Sequence, residues 1–214
     1  MIFVHAGFGG RGLGFERCWD LQRRVHARRV AEEIGDTVLV LEHPPVYTVG
    51  RGADPRSLDG APAPIVAVDR AGGSTWHGPG QLTGYPVVRL TGSAGEFTAL
   101  VAEALVQVCG DLGVRAAAVP GGITTGDGLG LATIGVRVAQ GVTTQGFALN
   151  CDPDLGWYEA IDGAHPTSLS RELGRTVTVR EVLPAVEGRL AGRLGAMETF
   201  HRTLAQLEQP DHSE

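Results

Sequence analysis

Residues 69–86 read DRAGGSTWHGPGQLTGYP, the densest run of chemistry in the chain. Five glycines, one histidine, one arginine and two aromatic residues follow a short apolar run, residues 65–68 (IVAV). Glycine-rich loops let backbone N–H groups come close to a ligand and hold its oxygens. A histidine in such a loop can exchange protons near neutral pH. The competing reading is a tight structural turn around a buried, hydrogen-bonded histidine. Arg70, Thr75, Gln81 and Tyr85 crowd the same loop as His77, and sites concentrate on loops, which favours the functional reading. Neither a GKS or GKT triplet nor a GxGxxG spacing occurs in it, so it is not a Walker loop or a dinucleotide fingerprint.

Outward from the loop, apolar periodicity marks the frame. Phe15, Trp19, Gln22, Val25, Arg29, Val30 and Ile34 recur at helical spacing and predict an amphipathic helix over 14–34, stopped by Gly35 and Asp36. Residues 37–42 (TVLVLE) predict a buried strand, and 46–49, 65–68 and 85–90 predict further strands. Phe97, Val101, Ala104, Leu105, Val108 and Leu112 mark a second helix that Gly113 ends. Residues 115–119, 131–138 and 142–151 read as strands around a glycine-rich stretch at 121–130. Residues 153–161 and 168–173 read as short helical turns. Thr178 and Glu181 have capping-box spacing ahead of Val182, Val186, Leu190, Leu194, Met197, His201 and Leu204, a last long helix with Pro184 in its first turns. The polar tail from Gln209 is expected to fray. Strands outnumber helices without alternating strictly with them, which predicts an α+β fold. Residues 1–177 are expected to form one catalytic domain, with 178–208 a helical extension packed on it.

Composition narrows the function. The 214 residues are 43% hydrophobic and 20% charged, enough for a sizeable core. A net charge of −6 opposes a nucleic-acid binder that works by neutralising phosphates. No apolar run nears the roughly 18 residues of a membrane span, and the start lacks a signal-peptide pattern, so a cytoplasmic protein is expected. Cys18, Cys109 and Cys151 are too few and scattered for a disulfide framework or a cysteine zinc site. All 18 basic side chains are arginine. Schiff-base chemistry, a P-loop lysine and a lysine holding an acyl-adenylate are thereby excluded.

The chain resembles the octanoyltransferase family, lipoyl-pathway enzymes related in fold to lipoate and biotin protein ligases. That family's loop runs RGGxxT, an aromatic residue, then HGPGQLxGYP, and residues 70–86 match it except at Ala71. Residues 41–50 (LEHPPVYTVG) with Arg51, 134–138 (IGVRV), 146–150 (GFALN) and 167–169 (TSL) resemble its other blocks. The resemblance implies a mixed sheet flanked by helices, biotin/lipoate protein ligase-like. It also implies an ATP-independent reaction in which octanoyl leaves acyl carrier protein for a lysine on a lipoyl domain. In the family a cysteine carries the acyl group, a lysine assists proton transfer, and the loop histidine lies close to both.

The chain departs from that pattern at the centre of the chemistry. The place of the lysine reads GLGL at 128–131, the place of the cysteine turn reads IDGAHP at 161–166, and the histidine before GFALN is Gln145. The expected reaction is therefore attack of an amine directly on a bound thioester, without a protein nucleophile. His77 is the expected base, with His165, oriented by Asp162, as the next choice. The N–H groups of Gly72, Gly73 and Gly78 are expected oxyanion donors, and Arg70 is expected to hold a carboxylate or phosphate. Thr75, Trp76, Gln81, Tyr85, Gly135, Gln145 and Gly146 complete the expected substrate-binding set. Cys18, Cys109 and Cys151 are read as core, and His43 as a residue that shapes its loop. His5, His26, His201 and His212 stand without supporting context. The expected partners are acyl carrier protein or another thioester donor, and a lipoyl-domain protein or small-molecule amine acceptor. No nucleic acid, membrane, cofactor or metal is implied. The rival from another class is a non-catalytic accessory protein that binds a carrier protein or lipoyl domain. An ATP-dependent ligase is disfavoured by the missing lysine.

Overall fold

The structure is a computed structural model describing residues 1–208; the tail from Gln209, His212 included, lies outside the described residues. In chain order it builds β1 (Ile2–Gly7), α1 (Phe15–Val30), β2 (Thr37–Leu41), β3 (Val46–Val49), β4 (Ile65–Ala67), β5 (Ser74–His77) and β6 (Gln81–Val87). Then follow α2 (Ala94–Asp111), β7 (Ala116–Val119), β8 (Gly122–Thr125), β9 (Gly130–Ala139) and β10 (Val142–Asn150). The last elements are α3 (Leu169–Leu173), α4 (Val179–Arg193), β11 (Phe200–Thr203) and α5 (Leu204–Glu208).

Eight strands form one sheet in the order β11-β1-β2-β6-β10-β9-β8-β7, and β4-β3-β5 form a second sheet of three. β1 runs parallel to β2 and β11, while the other pairs of the large sheet are antiparallel. The sheet is thus mixed and flanked by helices, as the resemblance implies.

β2 shows why both faces are covered. Val38 and Val40 face a core with Val101, Leu105 and Val108 of α2 and Val182, Val186 and Leu190 of α4. Leu39 and Leu41 face another with Cys18, Leu21 and Val25 of α1 and Leu207 of α5. This is the period-two alternation of a strand buried on both sides, each such side chain contributing roughly 1.5–3 kcal/mol. A smaller cluster of Tyr47, Val49, Leu58, Trp76 and Tyr158 sits under the second sheet.

Several elements differ from the sequence reading. β5, the first half of β6, and β8 lie inside stretches that composition marks as loop. In β6 the glycine is a packing requirement: a Cβ on Gly84 would sit 2.2 Å from the Phe147 ring. β1 escapes notice because only Phe3, Val4 and Ala6 of its six residues are buried. α1 ends at Val30, short of Ile34, where Glu32 turns left-handed at φ 61°. The helix expected to reach Leu204 stops at Arg193, with Gly195 in the left-handed region at φ 71°. Met197 then stands fully in solvent, and residues 200–203 form an edge strand on β1. Thr178 caps α4 by accepting from Glu181 N at 3.2 Å, but the Glu181 carboxylate pairs with Arg175 and does not close the box. Among the described residues no helix is long and apolar enough to cross a membrane.

Candidate active site

The loop before β5 is threaded against residues 50–52. Gly50 N donates to Gly73 O at 3.1 Å, and Gly52 N to Gly72 O at 3.0 Å. A Cβ on Gly50 would come within 2.4 Å of Gly72 O, so only glycine permits this approach. β5 then pairs with β3, setting Thr75 opposite Thr48 and His77 opposite Val46.

This loop faces the β9–β10 hairpin across a cavity of about 260 Å³. Arg70, Gly72, Gly73, Thr75, His77 and Tyr85 line one side, and Gly135, Gln145 and Gly146 the other. Nine residues expected of the site thus converge here. Gly135 and Gly146 are register partners on the hairpin. A Cβ on Gly135 would lie 3.2 Å from Arg70 Cδ, and one on Gly146 only 2.1 Å from Gly84 O.

His77 is buried. Its Nδ1 lies 2.8 Å from Gln81 Oε1 and its Nε2 3.4 Å from Thr48 Oγ1. Gln81 Nε2 faces three oxygens, Trp76 O, Asn150 Oδ1 and Tyr158 Oη, at 2.9–3.1 Å. That orients the amide with Oε1 toward the imidazole, so His77 Nδ1–H donates and Nε2 keeps its lone pair. Burial, reinforced by nearby His43 and Arg70, pushes the His77 pKa down to about 3. His77 is therefore neutral at pH 7.

His43 uses both ring nitrogens, Nδ1 with Leu13 O at 2.6 Å and Nε2 with Tyr85 Oη at 2.8 Å. Burial lowers its pKa to about 4. It orients Tyr85 and so shapes the site. Arg70 Nη1 donates to Ala71 O at 3.0 Å, and Nη2 to Thr48 Oγ1 at 3.0 Å and Thr48 O at 3.3 Å. Its fork is largely engaged by the protein, and burial lowers its pKa. Thr75 Oγ1 and Gln145 Nε2 are buried cavity-lining groups without a protein partner among the described residues. Such groups call for a ligand or water. Gln145 is also held at φ 63°, a strained backbone for a residue with a Cβ, while its N donates to Gln22 Oε1 of α1 at 3.0 Å.

A wider cavity of about 450 Å³ adjoins the first, and Gly73, Ser74, Thr75 and Thr133 line both. Its outer wall is the turn at 161–166, pinned to the start of β9 by Gly130 N to His165 O at 2.7 Å and Thr167 N to Gly130 O at 2.9 Å. Asp162 and His165 line this cavity, both exposed, and no hydrogen bond joins them among the described residues. Trp76, Gly78 and Gln81 line neither cavity. Trp76 stacks on Trp157 at 5.7 Å, Gly78 lies against the Trp76 ring, and Gln81 stands behind His77. Sequence reasoning missed Thr48, Thr133, Asn150 and Tyr158. Of these, Asn150 left a signal, a polar residue ending the otherwise apolar run GFALN.

All three thiols are buried and none lines either cavity. Burial lifts Cys18 and Cys109 to about 12 and Cys151 higher still, so none is a thiolate near neutral pH.

The family described as "Lipoyl protein ligase A/B catalytic domain" matches residues 15–191. The octanoyltransferase of Acidothermus cellulolyticus is 50% identical over 205 residues, covering 89% of this chain and 90% of that protein. That of Streptomyces coelicolor is 40% identical over 257 residues, covering 94% and 96%. The chain therefore belongs to the lipoyl protein ligase A/B catalytic domain family. Among solved structures, protein Ta0514 of T. acidophilum with bound lipoic acid superposes with a TM-score of 0.71 at 13% identity, covering 94% of this chain and 88% of that one. Lipoate-protein ligase A bound with ATP gives 0.69 at 13% identity, with the same coverages. At such identities these two likenesses establish the fold.

Proposed function

We propose that this chain moves an acyl group from a carrier-protein or other thioester to an amine, without ATP and without an acyl-cysteine intermediate. One observation carries the reading: two adjoining cavities share the wall of residues 73–75 and Thr133, His77 lines the narrower one, and every thiol is buried away from both. The octanoyltransferase names of the relatives support an octanoyl-length chain; acyl carrier protein as donor and a lipoyl-domain lysine as acceptor are what the family resemblance implies. A small-molecule amine fits the altered turn at 161–166 equally well.

The narrow cavity takes the acyl end, and the wide one admits the thioester arm and the amine. The amine nitrogen attacks the thioester carbon, a C–N bond forms, and the C–S bond breaks to release the thiol. Gly72 N–H and Gly73 N–H have no protein acceptor among the described residues, and with Thr75 Oγ1–H they are placed to receive the developing oxyanion. His77 takes the proton of the attacking nitrogen and passes it to the departing sulfur. Its pKa of about 3 belongs to the cavity before an oxyanion forms, with the Arg70 cation nearby. The oxyanion formed beside it raises that value as the proton must move. The sequence contains no lysine to steady an acyl-adenylate, which weighs against an ATP-dependent route.

The test is incubation with an octanoyl thioester of a carrier protein and a panel of amines, including a lipoyl domain, read by mass spectrometry. Acylated amine over many turnovers, with the protein's own mass unchanged, is the expected result. Carrier or lipoyl-domain binding with no product across the panel would assign the chain to the accessory class, a role the low basicity of His77 suits.

A further inference from the structure

Three side chains converge at the β11–β1 edge of the large sheet, three strands away from β10 and its cavity. Parallel pairing sets Phe3 of β1 opposite His201 of β11, which brings His5 and His201 to one face, under α4. There His5 Nε2 lies 2.7 Å from Glu187 Oε1, and His201 Nε2 lies 2.9 Å from Glu187 Oε2. The three potential ligand atoms all fall within 4.8 Å of one another. Phe8 packs edge-on against the His5 ring and Phe3 stacks on His201, which holds both imidazoles in place.

The electrostatics are unusual. The Glu187 side chain is only 10% exposed, and it pairs with both histidines. A carboxylate with so little exposure is costly to bury, and a cation held between it and the two imidazoles would ease that cost. Two imidazole nitrogens and one carboxylate oxygen are also the donor set of three-ligand zinc sites.

We propose that His5, Glu187 and His201 bind one divalent transition-metal cation of the zinc class. The fourth position faces solvent, since the two histidine side chains are 38% and 54% exposed. In the geometry described, each Nε2–H donates to Glu187. On binding, each ring moves its proton to Nδ1 and presents the Nε2 lone pair, so a neutral histidine loses no proton. Bonds of about 2.0–2.1 Å in a tetrahedron put ligand atoms roughly 3.3 Å apart, so the three atoms, which lie within 4.8 Å of one another, draw together on binding while the histidine bonded to the coordinating oxygen moves slightly away from it. His5 and His201 lie outside the family match at 15–191, whereas Glu187 lies inside it, so the site joins the matched region to both flanking segments. A cation there ties β1, α4 and the edge strand β11 together.

The test uses the untagged full chain, treated with chelator and desalted. ZnCl₂ is titrated by calorimetry, CoCl₂ by visible absorption, with MgCl₂ and CaCl₂ as hard-cation controls. One equivalent of zinc binds, cobalt gives tetrahedral-type visible bands, the melting temperature rises, and the hard cations have no effect. His201→Ala, at an exposed position, and Glu187→Gln, nearly isosteric, each weaken zinc binding at least 10- to 100-fold, roughly the cost of losing even an outer-shell partner. Acyl-transfer rate per folded molecule stays unchanged in both. Failure to bind one equivalent would overturn the proposal, as would zinc binding that survives His201→Ala in folded protein. A melting temperature that follows pH but ignores zinc would instead assign the cluster to a protonated histidine pair, and would overturn it too.

Discussion

His77 Nδ1 lies 2.8 Å from Gln81 Oε1, and this single contact decides which nitrogen of the buried imidazole can accept a proton. The Gln81 amide is itself held by Asn150 and Tyr158, which line the wider cavity. The imidazole lining one cavity is thereby hydrogen-bonded through Gln81 to the wall of the other.

The first prediction concerns the base. His77→Ala lowers turnover by roughly 100- to 10,000-fold per folded molecule, the range for losing a general base. In the unaltered protein His77 is already neutral, with a pKa of about 3, so kcat/KM shows no limb from it between about pH 5.5 and 7.5. Gln81→Glu sets a carboxylate against Nδ1–H, raises that pKa, and moves a base limb up into the measured range. A near-normal rate for folded His77→Ala would remove it from the mechanism and leave His165 as the residue to test.

Acid sensitivity follows from the same burial. His43 and His77 have folded pKa values of about 4 and about 3, both below the ordinary 6.5. Between those values the unfolded chain binds protons that the folded one refuses. Stability is therefore full above about pH 6.5 and falls as pH drops toward the folded values, by up to about 1.4 kcal/mol per histidine per pH unit. Melting temperatures measured from pH 7.5 down to about 4.5 should show this slope, and His43→Gln should flatten it.

No stable acyl adduct should form on the protein. Incubation with octanoyl thioester in the absence of any amine leaves the intact mass unchanged, because the buried Cys18, Cys109 and Cys151 thiols are pushed far above neutrality. A stoichiometric octanoyl mass mapped to Cys151 would restore covalent catalysis.

Two glycines of the β9–β10 hairpin separate function from folding. Gly135→Ala places its Cβ 3.2 Å from Arg70 Cδ and 3.3 Å from Ala71 O, tight contacts that a shift of the Arg70 side chain and a few tenths of an ångström in the loop relieve. It should cut turnover several-fold with a small change in melting temperature. Gly146→Ala meets backbone oxygen at 2.1 Å and should instead prevent stable folding, visible as loss of soluble protein.

A cysteine placed at Gly163 should not give an acyl-enzyme that transfers to a lipoyl domain. Gly163 lines the wider cavity but sits at φ 72°, where a Cβ is strained by about 1–3 kcal/mol. No lysine stands ready to assist. Robust transfer through a thioester in Gly163→Cys would show that the turn still presents a nucleophile correctly.

Helices and buried strands were legible where local pattern and tertiary burial agree, as in β2 and α2. Nine of the expected residues meet in one cavity because they travel together on a loop and a hairpin whose glycines are spacing rules. What was hidden depends on long-range partners. β11 looks helical because Leu194, Met197, His201 and Leu204 happen to keep that spacing, and only pairing with β1 reveals the strand. His5 and His201 have no meaning until α4 brings Glu187 between them. Thr48 and Tyr158 reach the His77 network through the second sheet and a short turn, neither of which carries a periodic signal.

Residues 73–75 and Thr133 are a partition with a compartment on each side. Enlarging any side chain in that partition crowds both compartments at once. If the two compartments hold acyl chain and acceptor as proposed, preference for chain length and preference for acceptor are coupled there, and a change selected for one drags the other with it. Independent adjustment is left to the outer walls: Gly135 and Gln145 line only the narrow cavity, and the turn at 161–166 only the wider one. On the proposed reading, the turn at 161–166 is the place where this scaffold can exchange one acceptor for another while its taste in acyl chains stays the same.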